Sequence, residues 1–291
     1  MTPIIQNLSE ISERYDALFC DLWGCVHNGL APFPTAVDAL RAFRDKGGRV
    51  ILLTNAPRPR SAVRRQMQRI NVPDDCWDDI VTSGDASQAG MAAGIAGQRV
   101  YHLGPEKDYS FFTDAPRDID LSGIDRVALE EAEGIVCTGF FDDLTETPED
   151  YRATLLYAKQ KGMKLLCTNP DIVVDFGDKR VFCAGAIAAL YTEMGGESVY
   201  FGKPHPPIYD LARRRLSEFG RVDDAHILCV GDGIVTDIPG GMGEGLDTLF
   251  ITGGLAADQF GADADQPDAN LLQKWLADHQ MSPTFAMSHL R

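Results

Sequence analysis

Asp21 stands directly behind the apolar run Ala17-Leu18-Phe19-Cys20, and the residues after it, Leu22-Trp23-Gly24-Cys25-Val26-His27-Asn28-Gly29, hold two glycines, an asparagine and a histidine. This reads as a buried strand breaking into a tight loop, with a carboxylate at the strand's carboxyl end. Other stretches end in the same way. The run 49–53 reaches Thr54-Asn55, the run 226–230 reaches Gly231-Asp232-Gly233 with Asp237 five residues beyond Asp232, and Phe201-Gly202-Lys203-Pro204 sets a lysine just ahead of a helix. Taken alone, Asp21 is equally readable as a turn aspartate. Parallel strands, however, present all their carboxyl ends on one edge, where ligands bind, so these residues converge in one crevice. Carboxylates, a hydroxyl, a lysine and glycine loops together suggest a phosphate and a divalent metal. Mg²⁺ prefers oxygen ligands and keeps several waters. The lysine offsets charge on a transferring phosphoryl group while Thr54 and backbone N–H groups hold its oxygens, and a carboxylate such as Asp21 could attack phosphorus to form an aspartyl-phosphate.

The elements that must position these residues alternate. A helix is expected from Pro34-Thr35, with Thr35 as N-cap, Val37, Leu40 and Phe43 as its apolar face and Gly47-Gly48 as its stop. A strand at 49–53, a helix carrying Val63, Met67 and Ile70, and a strand at 79–82 complete a β-α-β-α-β pattern, the signature of a parallel sheet with helices on its faces. From 85 to 200 a second small α/β unit is expected. It has strands at 99–103, 134–138 and 164–167, an acidic loop-rich stretch at 108–133, and helices at 148–161 and 184–194; the strand at 164–167 ends in Thr168-Asn169-Pro170-Asp171. The first sheet then resumes near Phe201. It continues through a helix bearing Ile208, Leu211, Ala212 and Phe219, strands at 226–230 and 248–252, a glycine-rich helical region at 236–245, and a last helix at 267–279 burying Leu271, Leu272, Trp275 and Leu276. The tail 281–291 shows no periodicity. The fold class is α/β, divided as 1–84, 85–200 and 201–291, the middle segment being inserted in the first.

With 44% hydrophobic residues, the 291-residue chain can bury a large core or two medium ones. Its 27 basic and 43 acidic residues give a net charge of −16, which argues against a nucleic-acid backbone or an anionic membrane as main partner. A small anionic substrate remains compatible, because the field at close range is set by nearby groups. Residues 1–16 are polar with three acidic side chains and do not read as a secretory leader, and no stretch approaches the roughly 18 apolar residues of a membrane span. A soluble, cytoplasmic protein is expected. Seven cysteines at 20, 25, 76, 137, 167, 183 and 229 include no C-x-x-C pair and read as small core residues in a reducing compartment. Arg58, Arg60, Arg64 and Arg65 read as a solvated helix face, with steering of an anionic substrate as the alternative.

The order Asp21-x-x-Gly, Thr54-Asn55, Gly202-Lys203-Pro204 and Gly231-Asp232-Gly233-x-x-Thr236-Asp237 resembles the four motifs of the haloacid dehalogenase-like (HAD) hydrolase superfamily. The insertion carrying Thr168-Asn169-Pro170-Asp171 resembles the class IIA branch, with p-nitrophenyl-phosphatase and N-acetylglucosamine-phosphate phosphatases. The resemblance implies a Rossmann-like parallel-sheet core with an inserted α/β cap, and a Mg²⁺-dependent phosphatase of small-molecule phosphomonoesters. It implies that Asp21 is nucleophile and metal ligand, Asp232 the second ligand, Asp237 a direct or water-mediated support, and the Trp23 carbonyl a further ligand. Thr54, with Asn55 beside it, would bind phosphoryl oxygens, and Lys203 would neutralise charge and orient Asp21. Asn169, Pro170 and Asp171 would face the pocket and help choose the leaving group. Relatives of this class often pair through their caps, which implies a homodimer.

One position departs from the pattern. Two residues after the nucleophile the family's phosphatases carry an aspartate that protonates the leaving oxygen and activates water; here it is Trp23, whose indole does neither. General acid–base help typically contributes about 10²–10⁴-fold. His27 is a candidate substitute, against the plainer reading of a loop histidine bonded to backbone; Cys25 as nucleophile is disfavoured. Two further functional readings follow: a weak or inactive phospho-ligand binder, and carbon–halogen hydrolysis, since the superfamily's dehalogenases have an aromatic residue at this position. Dehalogenases do not need Mg²⁺, however, and this chain keeps the full metal motif.

Overall fold

Strand β1, Ala17–Cys20, is buried along its whole length, as a central parallel strand covered on both faces must be. The computed structural model describes residues 1–291. Helix α1, Pro34–Asp45, starts with Pro34 in its first turn and Phe33 as N-cap. Thr35 is therefore inside the helix and not its cap, because a proline needs no N–H partner there and has its φ preset. The buried stripe is Ala36, Val37, Leu40 and Phe43. There follow β2 (Arg49–Thr54), α2 (Arg60–Arg69), β3 (Asp79–Thr82) and α3 (Ser83–Ala92).

The chain then builds β4 (Arg99–Leu103), α4 (Ser110–Thr113), β5 (Asp125–Arg126), β6 (Gly134–Cys137), α5 (Arg152–Gln160) and β7 (Lys164–Cys167). The hairpin β8 (Val173–Phe176) and β9 (Lys179–Phe182) comes next, then α6 (Ala184–Glu193) and β10 (Glu197–Tyr200). It returns through α7 (Pro206–Ser217), β11 (Ile227–Gly231), α8 (Asp237–Gly243), β12 (Asp247–Ile251), α9 (Ala269–Asp278) and β13 (Phe285–Met287).

One six-stranded sheet has the order β13-β12-β11-β1-β2-β3, and a five-stranded sheet the order β10-β7-β6-β4-β5; β8 and β9 stand apart as a two-stranded ribbon. Both larger sheets are parallel throughout. In the first sheet the chain leaves β1 toward β2 and β3 and later returns to its other side with β11, so the switch point lies between β1 and β11. That crevice is where an open α/β sheet binds its ligand. The register pairs Cys20 with Val230, which carries Asp21 and Asp232 out of adjacent strands together. Alternation along the strands splits the core: Leu18, Cys20, Val50 and Leu52 pack on one face, Ala17, Phe19, Ile51 and Leu53 on the other. Fully burying a Leu or Phe of this kind contributes about 1.5–3 kcal/mol. All seven cysteines are buried free thiols, and no helix is long and apolar enough to cross a membrane.

Several expectations are corrected. Phe201-Gly202-Lys203-Pro204 is not a strand of the first sheet: the strand before it, β10, pairs with β7 in the second sheet, and Lys203 lies on the connection into α7. The ribbon β8–β9 and the strand β13 have no counterpart in the periodicity reading. Phe219 lies beyond the end of α7 at 39% exposure, and Leu271 of α9 is 45% exposed, so neither belongs to a buried face.

Candidate active site

Lys203 is the hub. Its Nζ donates to Asp21 Oδ1 at 2.6 Å, Asp237 Oδ1 at 2.7 Å and the Leu53 carbonyl at 2.9 Å, which uses all three donors of an ammonium that is 2% exposed. Its backbone is clamped by Asn55, whose Oδ1 accepts from Lys203 N at 2.8 Å and whose Nδ2 donates to Lys203 O at 3.1 Å. Gly202 permits this approach, since a Cβ there would lie 2.4 Å from Ser83 Oγ and 2.6 Å from Asn55 Oδ1. Asn55 Nδ2 also donates to Asp171 Oδ1 at 2.9 Å, so Asn55 ties the ends of the two sheets together and spends its polar atoms on protein. Burial by itself would lower the Lys203 pKa, but Asp21 and Asp237 reverse that and hold it well above the ordinary range.

Asp21 keeps Oδ2 free of protein hydrogen bonds and lines two adjoining cavities. Burial, with Asp237, Asp232 and Asp171 nearby, pushes its pKa up against the pull of Lys203. Asp232 sits under two glycines: a Cβ on Gly24 would lie 2.1 Å, and one on Gly254 2.0 Å, from its Oδ2, which accepts from Leu255 N at 2.9 Å. Its pKa is raised to about 7 by burial and then by Asp237. Asp237 is engaged on both oxygens, by Lys203 and by Gly233 N at 3.0 Å.

The donor set fits a hard divalent cation. Ligand atoms of Asp21, Asp232 and Cys25 lie within 4.8 Å of one another, and the Trp23 carbonyl accepts no protein hydrogen bond. Asp21, Asp232 and Asp237 outnumber the single buried ammonium facing them, and such a charge excess is what a cation relieves. Burial drives the Cys25 thiol pKa well up, so it stays neutral, and it lines neither cavity of the site, which removes it as a nucleophile.

Thr54 is 1% exposed; its Oγ1 accepts from Ala56 N at 3.2 Å, which leaves the hydroxyl proton to donate elsewhere. The N–H groups of Leu22 and Trp23, just past Asp21, donate to no protein acceptor. Above them opens a cavity of about 400 Å³ reaching from Asp21, Trp23 and Thr54 to Asn169, Asp171 and the aromatic faces of Phe140, Phe176 and Phe182. A second space of about 190 Å³ connects Asp21 and Asp171 to Asp232 and Asp237. Asn169 is in the wall, its Oδ1 accepting from Asp171 N at 3.1 Å. Pro170 is buried and lines neither space; its carbonyl backs against Gly185.

His27 does not face the pocket. It is 1% exposed, its Nδ1 accepts from Gly29 N at 3.0 Å, and burial lowers its pKa to about 4; it is the backbone-bonded loop histidine. Trp23 lies edge-on to it at 5.0 Å and 6.2 Å from Phe176. Within the arginine cluster, Arg60, Arg64 and Arg65 pair with Asp79, Asp74 and Asp114 at the surface. Arg58 instead enters the cavity wall, 3.4 Å from Asp108, a buried carboxylate whose Oδ1 makes no hydrogen bond. Nothing in the acidic stretch at 108–133 singled out Asp108, and the ribbon that supplies Phe176 and Phe182 was not expected.

Comparison with known proteins accords with this geometry. Residues 18–115 match the model for haloacid dehalogenase-like hydrolases, and residues 200–275 match a HAD-hydrolase-like model. A haloacid dehalogenase-like hydrolase from Brucella suis superposes with a TM-score of 0.86 at 38% identity over 99% of this chain and 100% of its own. The 5'-nucleotidase YutF of Bacillus subtilis is 24% identical over 276 residues, 91% of this chain and 98% of that one. A glycerol phosphate phosphatase from Mycobacterium tuberculosis, solved with magnesium, has a TM-score of 0.64 at 24% identity over 87% of this chain and 73% of its own. With a sheet switch point that gathers Asp21, Thr54, Lys203 and Asp232, and a relative 38% identical along its full length, the chain belongs to the haloacid dehalogenase-like hydrolase family, class IIA branch.

Proposed function

We propose that this protein is a divalent-metal-dependent phosphatase that hydrolyses a small sugar or nucleotide phosphomonoester through a phosphorylated Asp21. The observation that carries the reading is the Lys203 bridge between Asp21 and Asp237, with Thr54 and unpaired backbone donors beside the free oxygen of Asp21. Lys203 aims Asp21 and holds Oδ2 toward the cavity. Attack of Oδ2 on phosphorus forms the Asp21–phosphate bond as the ester P–O bond breaks. The Thr54 hydroxyl and the N–H groups of Leu22 and Trp23 receive the phosphoryl oxygens, and Lys203 offsets their charge. Asp21, Asp232 and the Trp23 carbonyl would hold Mg²⁺, while Asp237 fixes Lys203 and through it the orientation of Asp21. When bound, the ion supplies positive charge to the carboxylates and phosphoryl oxygens. Water then releases phosphate from Asp21. The named activities of the relatives, on nucleotides and on glycerol phosphate, support this substrate range.

A weak phospho-ligand binder is the second reading, favoured by Trp23, whose indole occupies the position of the family's proton donor. Purified protein with Mg²⁺ and a panel of phosphomonoesters separates the two. Phosphate release that Asp21→Asn abolishes supports the phosphatase; metal-dependent binding without turnover supports the binder. Halide release from 2-haloacids without metal would instead point to carbon–halogen chemistry.

A further inference from the structure

A sugar or nucleoside leaves phosphorus as an alcohol, and its oxygen needs a proton as the ester bond breaks. Trp23 has none to give and His27 is sealed behind the loop. Of the titratable side chains around the site, only Asp21 and Asp171 line both the 400 Å³ cavity and the 190 Å³ space. Asp171 lines both spaces from the second sheet's side, as Asp21 does from the first. Its backbone is fixed: Asp171 O accepts from Gly185 N at 3.1 Å and Asp171 N donates to Asn169 Oδ1 at 3.1 Å. A Cβ on Gly185 would lie 2.2 Å from Pro170 O and 2.4 Å from Asp171 O. Its Oδ1 is held by Asn55, the residue that also clamps Lys203, while Oδ2 has no protein partner.

We propose that Asp171 is the general acid and base of this enzyme, taking over from the second sheet's side the task that Trp23 cannot perform. In the first step the Asp171 proton passes to the ester oxygen as that oxygen leaves phosphorus and Asp21 Oδ2 bonds to it. In the second, the Asp171 carboxylate takes a proton from water as the water oxygen bonds to phosphorus and the bond to Asp21 breaks, restoring both side chains. Burial raises the Asp171 pKa to about 6, against the pull of Lys203 and the Asn55 hydrogen bond and with the push of Asp237, which poises it near neutral pH. The other ionisable groups around it are Asp21, Asp232, Cys167 and Cys183.

The role rests on the phosphatase reading and is tested apart from it by leaving-group dependence. With Mg²⁺ present, kcat/KM is measured for wild type, Asp171→Asn and Asp171→Ala on p-nitrophenyl phosphate, phenyl phosphate, glycerol 3-phosphate and a nucleoside 5'-monophosphate. Nitrophenolate leaves without a proton and alkoxides do not. The expected result is a loss of about 10²–10⁴-fold on the alkyl esters, a far smaller loss on p-nitrophenyl phosphate, and disappearance of the basic limb of the kcat/KM–pH profile in Asp171→Asn. An equal loss on every ester, or retention of the basic limb, would show Asp171 to be only a strut and overturn the proposal. Wild-type protein inert toward all four esters would remove the phosphatase reading itself. Asp171→Asn keeps the shape and an oxygen for Asn55; agreement of its unfolding midpoint with wild type excludes misfolding as the cause.

Discussion

Replacing Lys203 by methionine keeps the length of the side chain and removes its three donors. Asp21 Oδ1 and Asp237 Oδ1, now 2.6 and 2.7 Å from the ammonium, would then face each other across apolar atoms, and Leu53 O would lose its 2.9 Å partner. Removing one member of a buried ion pair typically costs about 3–5 kcal/mol. Two carboxylates are stranded here, so the upper half of that range is expected at about pH 8, a large part of the ~5–15 kcal/mol that holds a domain folded. The pH dependence has a definite sign. Asp21 already has a raised pKa in the folded protein, and losing Lys203 raises it further. The folded variant therefore binds more protons than the unfolded chain between the ordinary carboxylate range and this raised value, and its stability falls as pH rises through that window. Urea unfolding of metal-free protein, followed by tryptophan fluorescence at about pH 5 and 8, reads both effects. Lys164→Met serves as control: it breaks the exposed pair with Glu197, 47% and 59% exposed, and should cost about 0–1 kcal/mol. A Lys203→Met loss no larger than the control, or one that does not shrink toward pH 5, would show that Lys203 does not compensate two buried carboxylates.

Asn55→Leu strips the backbone of Lys203 and the Asp171 carboxylate of their shared partner. It should cost about 1–3 kcal/mol in unfolding free energy and lower kcat by about 10²-fold through misplacement, both measurable on one preparation. His27→Gln should leave the shape of the pH–rate profile unmoved between about pH 5 and 8, because the imidazole is neutral throughout that range; a shifted limb would return His27 to the chemistry. In the wild type the same imidazole, held near a pKa of about 4 by burial, contributes stability that is fully present above the unfolded value and is lost as pH falls toward its folded one. Titrating the unfolding midpoint of wild type against His27→Gln checks this.

Much of this site was legible because its signals are local. Four apolar residues followed by Asp21 can hardly be anything but a strand end, and Gly231-Asp232-Gly233 repeats the device next door. Lys203 was legible by residue type but not by address: β10 is a short strand that belongs to the other sheet, which no local pattern reveals. The ribbon β8–β9 escaped because Val173–Phe176 and Lys179–Phe182 mix charged and apolar residues over four positions each, too few to set a period. Thr35 reads as a cap because a hydroxyl and a proline both signal a helix start, and in the fold the proline takes the first turn. The burial of His27, the inward turn of Arg58 toward Asp108 and the reach of Asp171 depend on how the two sheets meet. That is a tertiary fact without a sequence signature.

Trapping the phosphorylated enzyme shows whether Asp21 carries the phosphoryl group. Metal-loaded Asp171→Asn protein, whose second step should be slow, is mixed with p-nitrophenyl phosphate, quenched in acid and digested for mass spectrometry. The peptide containing Asp21 is expected to gain the mass of one phosphoryl group, and Asp21→Asn protein neither to gain it nor to release phosphate. Phosphate release that survives in Asp21→Asn, or a phosphoryl group found on another residue, would remove Asp21 as the nucleophile.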